Sequence, residues 1–321
     1  MPFENLLPAK PVQRAISLGA LAAAGCGGLY YAAQSGLLIS GGLPVQPWQV
    51  LTLVSWAGNT AAIFSGGRLD GGGKGSSMEE PTSLPPVRFF SPAGWAFAIW
   101  GGIISGEMAM AVYQALPLTA VRASSGWLSQ LSPWLGGTFL LQTCWCFSFR
   151  EWARDSGLLW FPAALLGGTG VCLGGAHAVL RSVGGSMSGL QYALIHLPLR
   201  QGRKGLHFGW ISCATLVNLN GYLSLLPKFS DKALLRFSLT SIATGVSLAV
   251  VVTTKSGDPV YAGVVAWALS AIASEAGWKS MKGRVDIATL QTQQTAARIG
   301  AVICAATAAF APMIMRMLGE K

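Results

Sequence analysis

Charged residues are scarce in this chain. Only 11% of the 321 residues are Asp, Glu, Lys or Arg, whereas 52% are hydrophobic and the mean hydropathy is +0.49. An ordinary soluble domain carries about 25% charged residues. The sequence therefore lacks the polar surface that would cover a soluble globule of this size, and that class of protein is excluded.

The sequence also lacks the motifs of common catalytic sites. It has no GxSxG, no HExxH and no two-carboxylate arrangement. The glycine-rich stretch 66–75 fails the GxxxxGK[ST] spacing of a phosphate-binding loop, because Lys74 is followed by Gly75. We therefore expect a protein that is not an enzyme.

Cysteine is present, but not in a pattern that holds a metal or a disulfide. The six cysteines fall in apolar stretches and form no CxxC pair. Cys144 and Cys146 are two residues apart, so on a helix their side chains point in widely different directions. We expect no metal site and read all six as small packing residues.

What the sequence has instead is a series of apolar segments separated by polar loops. Most of them approach the ~20 residues that cross the hydrocarbon layer. Twelve Trp and 41 Gly suit a helical membrane protein, with aromatic residues at the interfaces and small residues between helices. The nine segments are 15–34, 48–66, 92–116, 134–149, 158–180, 205–227, 233–254, 259–278 and 295–318. We predict an all-α polytopic membrane protein, a helical bundle of eight to nine transmembrane helices.

The number of transmembrane helices depends on how the N-terminal segment is interpreted. Residues 1–47 are predicted to be an extension with one apolar helix, either a removed targeting segment or a retained anchor; the length of its apolar run favours retention. Residues 48–227 then form the main helical bundle, and 228–321 add further transmembrane helices to it. The short apolar piece 186–198 is interpreted as re-entrant or interfacial.

The net charge of +10 is interpreted as a topology signal. The basic residues are scattered through the loops and form no stripe, so nucleic acid is not an expected partner. Lys and Arg are more numerous in the loops on the N-terminal side, which places that side in the cytosol or organelle interior. Four cations between the fifth and sixth segments lie on the opposite side and count against this orientation. If the piece 186–198 crosses the membrane, the orientation of all later helices is inverted. We expect the loop cations to face solvent.

Few ionisable groups lie at membrane depth. Glu107 shares a helix face with Trp100 and Gln114, because these positions recur at three- and four-residue steps. That face would suit an amphipathic ligand, since a carboxylate in a membrane often marks a ligand site or pathway. In the alternative, Glu107 only orients the bundle by bonding a neighbouring amide. The candidate amides are Asn59, Gln142, Asn218 and Asn220.

Two further ionisable groups carry open alternatives. His177 lies in a glycine-rich segment and is either an axial ligand of haem or chlorophyll or a structural hydrogen-bonding residue. Glu275, three residues before Trp278, is expected to snorkel to the interface.

A resemblance to a known family rests on the stretch Pro92–Trp100, PAGWAFAIW. It is similar to the PxGWxFxxxW signature of the tryptophan-rich sensory protein family, the TspO/translocator-protein group, and to its longer branch. Other similar stretches occur in the same order over residues 48–315. They are Trp56–Asn59, His207–Thr215, and Asp258–Tyr261 with Val265–Leu269.

The resemblance implies a TspO-like core and a set of ligand-binding residues. Trp95, Trp100 and Trp145 match motif positions, while Gln142 stands where the family has Asn. Glu107 and Gln114 come from the helix-face argument, and Asn59 completes the candidate set as an amide at membrane depth.

Shorter members of the family bind tetrapyrroles, and in animals sterols, inside the bundle. The resemblance thus implies an integral membrane protein that binds or translocates a flat hydrophobic ligand, with porphyrin, haem or chlorophyll as candidate cofactors.

One alternative is a structural or pigment-binding subunit of a photosystem or respiratory complex; another is a proton-coupled small-solute transporter using Glu107. The expected partners are membrane lipid, a hydrophobic small molecule, and a second copy or a larger membrane complex. The expected location is a plastid or mitochondrial membrane in a eukaryote and the cell membrane in a bacterium.

Overall fold

The computed structural model describes most of the chain. The described ranges are 7–8, 10–39, 45–69, 87–116, 118–183, 204–274 and 281–317. The apolar piece 186–198, Glu275 and most of the loop 66–88 lie outside the described residues, so the interpretations given to them above stay predictions.

The regular structure of the described chain is helical, apart from a single β-bridge between Lys282 and Val285. Each of the nine apolar segments overlaps a helix. These helices are α1 (Pro11–Gln34), α2 (Pro47–Phe64), α3 (Ile99–Ala115, preceded by the 3₁₀ turn Gly94–Ala98), α5 (Ser125–Ser148), α7 (Trp160–Val183), α8 (Lys204–Leu223), α9 (Asp231–Ser256), α10 (Pro259–Ala273) and α11 (Ile287–Met317). Two short helices, α4 (Thr119–Ala123) and α6 (Glu151–Asp155), lie between them.

Five of these helices are long and apolar enough to cross a membrane. They are Pro11–Gln34, Gly94–Ala115, Trp160–Ser182, Asp231–Ser256 and Ile287–Met313. Helix α10 is apolar but has only 15 residues. The protein is therefore a multi-pass integral membrane protein, as predicted, while eight or nine crossings stay a prediction.

Helix ends follow local chemistry. Pro11, Pro47 and Pro259 each stand in the first turn, where the missing N–H is not needed. Asp258 Oδ1 accepts the Val260 N–H at 2.9 Å and thereby caps α10. Gly257 ends α9 with a φ of 69°, a conformation that glycine adopts at little cost. The loop between the two helices is thus fixed by its sequence.

The chain divides into two compact units. The first unit comprises 1–77 and 104–196, and α5 packs there against α1, α2 and α7. The hydroxyls of Thr52 on α2 and Ser132 on α5 are 2.8 Å apart, and both side chains are buried. This hydrogen bond ties the two helices together inside the apolar interior.

The second unit comprises 78–103 and 197–321. Helix α10 is central to it and packs against α8, α9, α11 and the 3₁₀ turn. Close approach to α8 depends on Gly209, where a Cβ would lie 3.0 Å from Val264 Cβ and 3.1 Å from the Tyr261 carbonyl oxygen. Buried Trp210, Tyr261 and Leu269 fill the surrounding core.

Candidate ligand-binding residues

The motif stretch 89–100 belongs to the second unit, where three hydrogen bonds hold its backbone. The Ala93 N–H donates to the Ala271 carbonyl at 3.2 Å. Gln293 Nε2 donates to the Phe89 carbonyl at 2.7 Å, and Trp267 Nε1 donates to the Ala96 carbonyl at 3.1 Å. Backbone that has not yet entered a regular helix is thereby satisfied by α10 and α11.

The anchored segment presents an aromatic surface. The rings of Trp95 and Trp267 meet edge to face, with centroids 4.6 Å apart and planes at 86°. Trp95 is 43% exposed and Trp267 42%. Phe97 is also exposed and meets the buried Trp210 edge to face at 5.4 Å. Such geometry is favourable for aromatic quadrupoles and leaves ring faces available for further contact.

Trp100 lies one turn beyond this surface. Its ring is half-buried and approaches the His207 ring at 5.8 Å. His207 itself is buried on α8. On the same helix the Ser212 hydroxyl accepts a hydrogen bond from the buried Tyr261 at 2.8 Å. Trp100 therefore packs against the first turn of α8, at His207.

The amides predicted for the site differ in how their polar atoms are satisfied. Asn59 is buried in the first unit and donates to the Phe139 carbonyl at 3.2 Å and to Thr143 Oγ1 at 3.3 Å. Gln142 is fully buried in α5, and neither atom of its amide group has a hydrogen-bond partner among the described residues. A buried polar group in that state costs about 1–3 kcal/mol. Gln142 is therefore the amide with most to gain from a ligand.

The three predicted positions on the face of α3 differ in burial: one side chain is fully buried and two are half-buried. Gln114 is 1% exposed, and its carbonyl accepts from Gln49 Nε2 at 2.6 Å. Its own Nε2 is buried without an acceptor among the described residues. Glu107 and Trp100 are half-buried. The face predicted from spacing thus carries one fully buried amide.

Trp145 lies at the C-terminal end of α5, where two cations approach the helix. Its ring stacks on Phe149 at 5.4 Å, and the Arg68 guanidinium lies 5.3 Å from its centroid. Arg150 is buried and donates to the Cys146 carbonyl at 3.1 Å and to Ser65 Oγ at 3.2 Å. The expectation that loop cations face solvent is wrong for Arg150.

The structure distributes the predicted residues between the two units. Trp95 and Trp100 belong to the second unit. The first unit holds Asn59, Glu107, Gln114, Gln142, Trp145 and His177, the last half-buried on α7.

Sequence reasoning missed the partners that hold the motif. Trp267 and Trp210 were visible only as parts of family-like stretches, and Gln293 gave no signal, because a glutamine on an amphipathic helix is ordinary. Each of these residues is more than 100 positions away in the sequence from the motif residue that it contacts.

Comparison with known proteins bears on the identity of the chain. No curated protein and no solved structure matches it. The family model of the TSPO-like proteins matches residues 74–311, about three quarters of the chain, and its match begins after α2. The matched region includes the PAGWAFAIW motif and Trp267 on α10, which contacts both Trp95 and Ala96. The chain therefore belongs to the TSPO-like protein family.

Proposed function

We propose that this protein binds a flat hydrophobic ligand of the tetrapyrrole class within the membrane and translocates it. Two kinds of support converge on this proposal. The chain is a multi-pass member of the TSPO-like family. It also holds exposed aromatic rings of its motif in fixed positions.

The observation that carries the proposal is the pair Trp95 and Trp267. More than two fifths of each side chain is exposed, although each ring is already restrained by the other. The hydrogen bond from Trp267 to the Ala96 carbonyl fixes the second ring relative to the motif backbone. Because the rings are ordered before a ligand arrives, binding loses little side-chain entropy.

A flat ligand suits such a surface for a physical reason. A macrocycle offers two large apolar faces, which gain dispersion and quadrupole contacts when they lie against an indole. Phe97, exposed on the same 3₁₀ turn, extends the apolar area. A small polar solute would gain nothing from these groups.

The test is a titration of the purified protein with protoporphyrin IX, followed by the shift of the Soret band. Trp95→Ala should weaken binding about tenfold, equivalent to about 1.4 kcal/mol. Trp160→Ala is the matched control, because Trp160 is 48% exposed and also meets a neighbouring ring edge to face, but on α7. It should leave the affinity unchanged. Equal affinity in wild type and Trp95→Ala, or no Soret shift in any of them, would overturn the proposal.

Translocation is tested separately in liposomes. Protoporphyrin added outside should reach haem-free apomyoglobin trapped inside faster with wild type than with Trp95→Ala. Binding without faster transfer would mean that the protein binds the ligand but does not translocate it.

A further inference from the structure

A cavity of about 460 Å³ lies in the first unit, between α1, α5 and α7. Its size falls in the range of about 300–1,000 Å³ that is typical of small-molecule sites. Helix α1 lies outside the region that matches the family, whereas α5 and α7 lie inside it. The cavity is therefore formed by this chain's N-terminal extension against two family helices.

The lining carries no charged side chain. Its polar side chains lie near one end, where Gln34 on α1 and Ser129 and Gln130 on α5 line the wall. The other end is formed by Cys26, Gly137 and Cys172. Ser129 and Gly137 are eight residues apart on α5, which is about 12 Å at the helical rise of 1.5 Å per residue.

A proline adds a backbone acceptor at the polar end. Pro133 lies inside α5 and lines the cavity. Because proline has no N–H, the carbonyl of Ser129, one turn earlier, receives no helical hydrogen bond from position 133. An occupant with a hydroxyl group can donate to that oxygen.

The far end of the cavity holds a pair of thiols. The sulfur atoms of Cys26 and Cys172 both lie within 4 Å of the position that a Cβ would take at Gly137. A methyl group at Gly137 would lie 3.0 Å from the Cys172 sulfur and 3.7 Å from the Cys26 sulfur, so only glycine leaves them this space. Both cysteines are half-buried, whereas the other four are buried. The end of the cavity is thus apolar, polarisable and accessible.

We propose that this cavity is a second binding site, for an uncharged amphiphile with one acyl chain and a hydroxyl-bearing head group. The hydroxyl lies at the Ser129 and Gln34 end, and the chain runs toward the thiols. The neutral lining disfavours a charged head group, because desolvating a charge without a partner is costly. The depth of about 12 Å accommodates a chain of medium length. This site is independent of the proposed tetrapyrrole function, since it belongs to the first unit and uses none of the motif residues.

The test uses the thiols as reporters. The full-length protein is placed in phosphatidylcholine nanodiscs and alkylated with N-ethylmaleimide, and the modification rate of each cysteine is read by mass spectrometry. With 1-decanoylglycerol present, alkylation of Cys26 and Cys172 should slow at least fivefold. Decanoate, which carries a charge, and methyl decanoate, which has no hydroxyl, should each protect less than twofold.

A variant that fills the cavity completes the test. Ala33 lines the cavity on α1, whereas Ala24 is exposed on the same helix and does not line it. Ala33→Phe should slow alkylation without any ligand and abolish the effect of 1-decanoylglycerol, while Ala24→Phe should behave as wild type. Alkylation that 1-decanoylglycerol does not slow, or that all three amphiphiles slow equally, would overturn the proposal. Unchanged far-ultraviolet circular dichroism confirms that both variants fold.

Discussion

Trp267 donates a hydrogen bond from its indole nitrogen to the carbonyl of Ala96 at 3.1 Å, across 171 positions of sequence. The same indole supports the ring of Trp95. One side chain of α10 therefore both bonds the motif backbone and orients the motif tryptophan. The aromatic surface and the conformation of the motif segment thus depend on the same residue.

We expect Trp267→Phe to lower the thermal stability of the protein. The phenyl ring keeps most of the apolar contact but loses the hydrogen bond, which is worth about 1 kcal/mol. Differential scanning fluorimetry in detergent measures the loss, with Trp160→Phe as the control for replacing an exposed indole. An equal or smaller loss in Trp267→Phe than in the control would contradict this role.

Gln142 and Asn59 should respond in opposite directions to apolar replacement. Gln142→Met removes a buried amide that has no partner among the described residues, so stability should stay level or rise. Asn59→Leu removes the side-chain hydrogen bond to the Phe139 carbonyl. This replacement should lower the free energy of unfolding by about 1–3 kcal/mol. Chemical denaturation of the two variants compares them directly. A marked loss in Gln142→Met would show that its amide is already satisfied.

Gly209 is expected to tolerate no side chain. A Cβ there would press on Val264 and on the Tyr261 carbonyl, and overpacking of this kind costs about 1–3 kcal/mol. Gly221 on the same helix has nothing within 4 Å of its Cβ position. Gly221→Ala should therefore be neutral or stabilise α8 by up to about 1 kcal/mol. Thermal melts of the two alanine variants distinguish a packed glycine from an unpacked one; similar melts would refute the close contact.

Arg150 should matter far more than its neighbour Arg154. Arg150→Met removes charge-assisted hydrogen bonds at a buried position and should cost about 1.5–3 kcal/mol. Arg154 is exposed and pairs with Glu151 and Asp155 at the surface, so Arg154→Met should cost no more than about 1 kcal/mol. Unfolding in a mild detergent with rising dodecyl sulfate measures both. Equal effects would mean that Arg150 is solvated in the membrane-bound protein.

A carboxylate at the start of α11 gives the stability a defined pH dependence. Hydrogen bonds from the hydroxyl and the N–H of Thr289 hold the pKa of Asp286 below its usual value of about 3.8. Since the folded-state pKa is the lower one, the stabilisation is present above about pH 3.8 and is lost as the pH falls through the folded-state value.

The matching measurement compares Thr289→Val with wild type across this range. The variant should be less stable at pH 6, and the difference should shrink as the pH falls below 3.8. A difference that stays constant with pH would assign the effect of Thr289 to packing.

The positions of the helices could be predicted because their signals are local. Hydrophobic runs end at Pro and Gly residues, and Pro47 and Pro259 mark the starts of α2 and α10 within a residue of the predicted segments. Helix α11 begins at Ile287, eight residues before its predicted start, because its first two turns are polar and carry no hydropathy signal.

The site was less predictable because its supports are long-range. Trp95 and Trp100 could be found from the motif alone. The contact of Trp95 with Trp267 and the bond from Gln293 to Phe89 join segments that no single-sequence pattern pairs. The burial of Arg150 was equally hidden, since a cation at the end of an apolar helix has the same sequence context whether its head group lies in solvent or beneath Phe147.

The proposed function depends most on contact between the ligand and the Trp95–Trp267 surface. Hydroxyl-radical footprinting of the reconstituted protein, read by mass spectrometry with and without protoporphyrin IX in the dark, tests it directly. We expect the ligand to protect Trp95 and Trp267 from oxidation and to leave the similarly exposed Trp160 unprotected. Equal oxidation of Trp95 with and without bound protoporphyrin would contradict the claim.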